Sequence, residues 1–174
     1  MLVPHVLLQY GSDPFQYRME DIEGRPAFTM YIDAPPVSNV VVRLMREASW
    51  EENRPEIAGP HAAVLYFGPN NSPGRIHYGN APEMLMWDMM VQKKESSSSR
   101  YFKSQGGKEC KWKISPVRME CVSGRTTVAL WEHSDPEDEF HARLTIRPAG
   151  LPIVTEIVTT LTLNRMAQAL SWES

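Results

Sequence analysis

Ile153-Val-Thr-Glu-Ile-Val-Thr-Thr-Leu-Thr-Leu-Asn-Arg-Met-Ala-Gln-Ala-Leu170 decides how the rest of the chain is read. Apolar residues fall at 153, 154, 157, 158, 161, 166, 167 and 170, which is helical spacing, and Pro152 stands where a helix tends to start. Against this, Thr155, Thr159, Thr160 and Thr162 are β-branched, and Ile153, Ile157, Leu161 and Leu163 would also line one face of a strand. The helix is the favoured reading, with a strand as the alternative. A helix this apolar must be buried on most of its circumference. Glu156, Arg165, Gln168 and the threonines argue for burial in protein over lipid, so no transmembrane segment is expected.

The preceding chain reads differently. Turn signals recur at Glu23-Gly24, Ala34-Pro35-Pro36, Gly68 to Gly74, Gly79-Asn80, Gly106-Gly107, Ser123-Gly124 and Ala149-Gly150. Between them lie short stretches of period-two alternation, the mark of half-buried strands. Cys110, Trp112 and Ile114 alternate with Glu109, Lys111 and Lys113, and Phe140, Ala142, Leu144 and Ile146 alternate with His141, Arg143, Thr145 and Arg147. Phe15, Tyr17 and Met19 share a face, as do Phe28, Met30 and Ile32, and Val40, Val42 and Leu44. Less regular runs at 4–10, 62–67, 74–78, 84–92, 100–104, 117–122 and 126–132 bring the expectation to about twelve strands. So many strands are expected to close into an antiparallel barrel or a sandwich. Loops are expected near 49–60 and over the polar tract 93–100, neither of which divides the chain, so residues 1–174 are read as one domain.

The chain has 174 residues, with 42% apolar and 22% charged, which excludes wholesale disorder and a collagen or coiled-coil rod. Two cysteines, Cys110 and Cys121, are too few for a disulfide scaffold and lack zinc-ligand spacing. A reducing, cytoplasmic setting is the simpler expectation. The N-terminal run is broken by Pro4 and His5 and does not read as a secretory signal.

Many short strands followed by one apolar C-terminal helix resemble the tubby C-terminal-like architecture. The segment from Arg100 to Met166 is similar to a fungal family of unknown function within that superfamily. The residues carrying this are Arg100-Tyr101-Phe102, Gly106-Gly107, Lys111-Trp112-Lys113, Ser123-Gly124-Arg125, Val128 to Trp131 and Ile157 to Arg165. Asp21 to Pro26 and Val40 to Arg43 agree with it. The resemblance implies a mainly β fold, a closed barrel of about twelve strands around a buried C-terminal helix. Tubby-like domains include phosphoinositide-binding modules and phospholipid scramblases, so for function the resemblance implies only a direction, toward phospholipid, while the fungal branch has no function to transfer.

Charge is unevenly spread. Residues 93–125 hold nine basic and three acidic side chains, a net of +6, although the whole chain carries −3. On the polar side of an alternating strand, Lys111 and Lys113 would project together to meet a phosphate. With Lys103 and Arg125 they form the expected phosphate-binding set. An anionic membrane surface or a protein partner is therefore the expected ligand. Nucleic acid is not expected, because the pI is about 6.0 and no exposed aromatics interleave the basic patch. No catalytic motif occurs, although His61, His77 and Tyr66 could meet in space. His133 to His141 gathers oxygen and imidazole groups but matches no metal loop, so no metal or cofactor is expected. Methionines at 84, 86, 89 and 90 read as core filler. The alternative functional class is a small-molecule-binding barrel, or an enzyme acting on an apolar substrate, which needs an interior cavity.

Overall fold

The computed structural model describes residues 3–33 and 39–173. It contains twelve strands: β1 (His5–Tyr10), β2 (Tyr17–Asp21), β3 (Pro26–Ile32), β4 (Val41–Arg46), β5 (Ala62–Tyr66), β6 (Arg75–Tyr78), β7 (Met84–Leu85), β8 (Arg100–Lys103), β9 (Glu109–Ile114), β10 (Arg118–Ser123), β11 (Thr126–His133) and β12 (Ala142–Ile146). They form one antiparallel sheet in the order β7-β6-β5-β4-β3-β2-β1-β12-β11-β10-β9-β8. Two meanders, β1 to β7 and β8 to β12, are therefore joined edge to edge where β1 pairs with β12, His5 opposite Ile146 and Gln9 opposite Ala142. A short helix, α1 (Ala48–Glu51), and the C-terminal helix α2 (Val154–Leu170) complete the fold.

Period-two alternation does what it should on these strands. Leu7, Met19, Phe28, Met30, Leu44, Leu65, Trp112, Met119, Trp131 and Leu144 are all buried on the inner face. Tight hairpins rest on glycines at positive φ, Gly107 at 85° and Gly124 at 62°. The turn expected at Ala34-Pro35-Pro36 lies outside the described residues.

The closed barrel expected from sequence is corrected. The sheet is open, with β7 at one end and β8 at the other, and these two do not pair. The run 84–92, read as one strand, holds only the two-residue β7 before the chain coils into a 3₁₀ turn, Met86–Met89. That turn drives Met86, Met89 and Met90 into the core at the seam. A flexible, unbranched methionine fills an irregular gap at little cost, so inward packing wins over ladder pairing here. A single bridge spans the seam, with Val91 and Tyr101 exchanging backbone hydrogen bonds of 2.9 and 2.8 Å.

α2 lies against the inner face, and twelve of its seventeen residues are buried. The burial runs all round the helix from Val154 to Asn164, so its threonines are as enclosed as its leucines. Their hydroxyls are nonetheless satisfied. Thr159, Thr160 and Thr162 donate to the carbonyls of Thr155, Glu156 and Val158, each at 2.7 Å. Their lone pairs then accept from the sheet: Trp112 Nε1 donates to Thr160 Oγ1 at 2.8 Å, and the Tyr17 hydroxyl to Thr162 Oγ1 at 2.6 Å. Arg46 Nη1 reaches Thr155 Oγ1 at 3.2 Å. Gly150 permits the close approach ahead of the helix, since a Cβ there would sit 2.6 Å from the Val128 carbonyl oxygen.

The segment expected to be a plain loop near 49–60 is anchored instead. It opens with α1, whose Trp50 packs its ring 5.5 Å from that of Phe28. Arg46, with its side chain 2% exposed, bonds Glu51 at 2.7 Å and the carbonyls of Ala58 and Pro60 at 2.9 and 3.2 Å.

Truncating Ile157, fully buried on α2, to alanine is expected to cost about 2–5 kcal/mol. Urea denaturation should then show a lower midpoint with an unchanged slope.

Candidate functional site

The outer face of β8 to β10 carries the basic side chains. Phe102, Cys110, Trp112, Met119 and Cys121 take the buried positions, which leaves Tyr101, Lys103, Glu109, Lys111, Lys113, Arg118 and Glu120 facing out. Lys111 and Lys113 share this face as the alternation implies, opposite Val122 and Glu120 respectively. Lys103 lies opposite Glu109. Arg125 sits in the turn after β10, at the far end of that strand from the residues paired with Lys113. The four expected phosphate ligands therefore spread along the sheet and do not converge on one point.

Local partners divide them further. Lys113 Nζ lies 3.9 Å from Glu120 Oε1, an exposed pair of small energetic value. Lys93, from the polar tract, bonds Glu109 at 2.8 Å and stands 4.1 Å above the Tyr101 ring. Lys111 Nζ approaches the same ring at 5.9 Å. Tyr101 thus stands within cation–π reach of two ammonium groups. At the seam a recess of about 400 Å³ is lined by Met84, Met89, Val91, Tyr101 and Phe102, with two cations, Lys93 and Lys103, and two carboxylates, Asp88 and Glu109.

The other sequence candidates separate. Tyr66 and His77 meet on the outside of β5 and β6, with the hydroxyl 3.1 Å from Nε2. His61 is not with them; its Nδ1 stands 3.2 Å from Arg46 Nη2 and 3.5 Å from Glu51 Oε1. The three do not form one acid–base group. His133 and His141 lie tilted against each other, ring centroids 4.9 Å apart, beside Trp131, whose ring is covered by the Arg165 guanidinium at 4.3 Å. Among the described residues no group of three or more His, Cys, Asp or Glu side chains could hold a metal ion.

Cys110 and Cys121 are free, buried and on adjacent strands. Their mutual interaction lowers the Cys110 thiol pKa and raises that of Cys121, so Cys121 keeps its proton. Glu156, which sequence reasoning took only as an argument against a membrane span, is buried in the first turn of α2. Desolvation raises its pKa, and it accepts one bond, from the Gln105 amide at 3.2 Å.

From the sequence, Arg118 enters only as one of the charges of the basic segment, and Arg100 as another and as part of the family resemblance, neither as a site residue. In the fold they border the turn 115–117, and Arg100 also faces the last turns of α2. The one available signal was the clustering of charge itself.

Fold and surface together define an antiparallel β protein built round an internal helix, with all six of its lysines on β8, β9 and the segments beside them. A family described as a family of unknown function (DUF6593) matches residues 36–167, most of the chain, and the protein belongs to it. No curated protein and no solved structure gives a match.

Burial lowers the pKa of both His133 and His141, and the Arg165 charge adds to the effect. Groups depressed in the folded state bind more protons when unfolded. Their contribution to stability is thus complete above the ordinary histidine value of about 6.5 and is lost as pH falls below it. Denaturation midpoints should drop between pH 7.5 and 5.5, and His141→Asn should flatten that drop.

Proposed function

We propose that this protein is a non-enzymatic binding module that docks on an anionic phospholipid surface through the outer face of β8 to β10. The observation that carries the reading is the projection of Lys111 and Lys113 from one face of the sheet, on which Lys93, Tyr101 and Lys103 border the recess at the β7 and β8 seam. Cations beside an apolar edge suit the boundary between headgroups and acyl chains. Tyr101 adds an amphipathic ring at the same place.

The filled interior supports a surface mode. A ligand-carrying barrel needs its helix outside, whereas α2 occupies the concave side of this sheet with twelve buried residues. A sheet of twelve antiparallel strands round a C-terminal helix also resembles the tubby-like architecture, which is the relationship we favour, within a fungal branch of it. Two free cysteines suit a cytoplasmic setting. No helix is long and apolar enough to cross a membrane, so attachment in this reading is peripheral.

Vesicle co-sedimentation tests it. Binding should require anionic lipid and weaken as salt rises. Each cation near such a surface is worth about 1 kcal/mol, so Lys111→Glu with Lys113→Glu should reduce binding at least about tenfold. Equal binding to neutral vesicles, or indifference to salt, would sink the lipid reading and leave a protein partner as the surviving form.

A further inference from the structure

Ser99 stands between two residues that are tied to β9. Ser98 Oγ donates to the Ile114 carbonyl at 3.2 Å, and Arg100 is registered opposite Trp112. The register therefore sets Ser99 opposite Lys113, and its place in the alternation is that of Tyr101 and Lys103, on the outer face. Ser99 and Lys113 line one recess, of about 240 Å³, together with Arg118 and Glu120. We propose that Ser99 is a phosphorylation site whose phosphoryl group seats against Lys113 and Arg118 and switches off the docking face of β8 to β10, a regulation that rests on the membrane reading above.

The acceptor hydroxyl is unoccupied. Ser99 is half-buried, its amide donates to Ser97 Oγ at 3.2 Å, and among the described residues its own hydroxyl has no hydrogen-bond partner. Ser97 and Ser98 already use their hydroxyls, and Ser96 lies outside the recess. Residues 92–99 belong to no strand, and side chains fasten them to β9: Lys93 to Glu109 and Ser98 to Ile114. Releasing so few contacts is a local opening, far cheaper than parting the sheet, and it delivers the hydroxyl to a protein kinase. There Ser99 Oγ attacks the γ-phosphorus of ATP, the bond from that phosphorus to the bridging oxygen breaks, ADP leaves, and the hydroxyl proton passes to the kinase's catalytic carboxylate.

Both cations of the seat are available. Arg118 is exposed, and its guanidinium has no hydrogen bond or ion pair among the described residues. Lys113 Nζ has Glu120 at 3.9 Å. Glu120 is the one carboxylate in the recess and opposes the incoming charge, and its Oε2 already accepts from Thr127 Oγ1. A phosphoserine carries about −1.5 to −2 charges near neutral pH and three acceptor oxygens, so it displaces a single carboxylate from Lys113 and takes a forked contact from Arg118. Lys113 is one of the two lysines on which docking depends. Engaging it, and placing that negative charge on the face that also carries Lys111, removes the attraction to anionic headgroups.

Full-length protein with phosphoserine installed at position 99 by codon reassignment tests the seat and the switch separately. In a phosphorus NMR titration the second phosphate pKa should fall below its ordinary value of about 6, and Arg118→Gln should reverse most of the fall. On anionic vesicles the phosphorylated protein should bind at least about tenfold more weakly than the unmodified one, while Ser99→Ala should bind as the unmodified protein does. Phosphoserine placed at position 96 should titrate without regard to Arg118→Gln, which separates a built seat from added charge alone. A phosphate at 99 that titrates like one on a free peptide, or ignores Arg118→Gln, overturns the seat. Undiminished vesicle binding overturns the switch. Should the unmodified protein ignore anionic vesicles, the docking reading fails and the switch with it, and the phosphorus titration still decides the seat. Phosphopeptide mapping of the protein from its own cells should recover phosphate on Ser99, and a tract modified only at its other serines overturns the assignment.

Discussion

An apolar helix that carries four threonines has to be buried on every side without leaving a hydroxyl unpaired, and the rest of the molecule is arranged around that demand. The threonines of α2 meet it by turning their hydrogens onto carbonyls four residues back and offering lone pairs to Tyr17, Trp112 and Arg46. These donors come from β2, β4 and β9, so the helix is indexed against both meanders at once. A leucine-only helix would bury as much apolar area but would slide and rotate at little cost, since dispersion contacts are not directional. Directional bonds between helix and sheet set one register.

Once the concave side is occupied, what the protein can bind is decided on its outside. The two meanders differ there. β1 to β7 present mixed charge, whereas β8 to β10 and their connecting segments carry the excess of lysine and arginine. Pairing this basic meander edge to edge with the rest leaves β8 at one end of the sheet, beside β7 but not bonded to it. The seam so created exposes Val91 and Leu85 next to the cations, which is where an apolar recess and a basic face come to adjoin. Openness of the sheet is therefore tied to the character of its surface, through the same methionines that fill the gap from within.

Much of this was legible beforehand, and the reasons differ by element. Alternation in Cys110 to Ile114 and Ala142 to Ile146 identified strands because the side-chain period of a strand is a local property. The helical spacing after Pro152 survived the competing claim of four β-branched residues, since the hydroxyls find acceptors within the helix itself. Placement of Lys111 and Lys113 on one face followed from the same period. Closure was misread at 84–92, where the methionines obey a packing need at the seam and no simple period. His61 could not be told from His77 by spacing; Arg46 draws it to the other end of β5.

Strand number, the buried helix and the outward lysines were written in one-dimensional pattern, because each depends on neighbours a few positions away. The open seam, the scatter of Lys103, Lys113 and Arg125, and the meeting of Arg100 with the end of α2 were not. Each of these requires residues far apart in the chain to be brought together by the pairing of β1 with β12 and by the seating of α2 against both meanders. Such long-range juxtaposition leaves no trace in spacing, since loop lengths and register, set by the packing of the whole core, determine it.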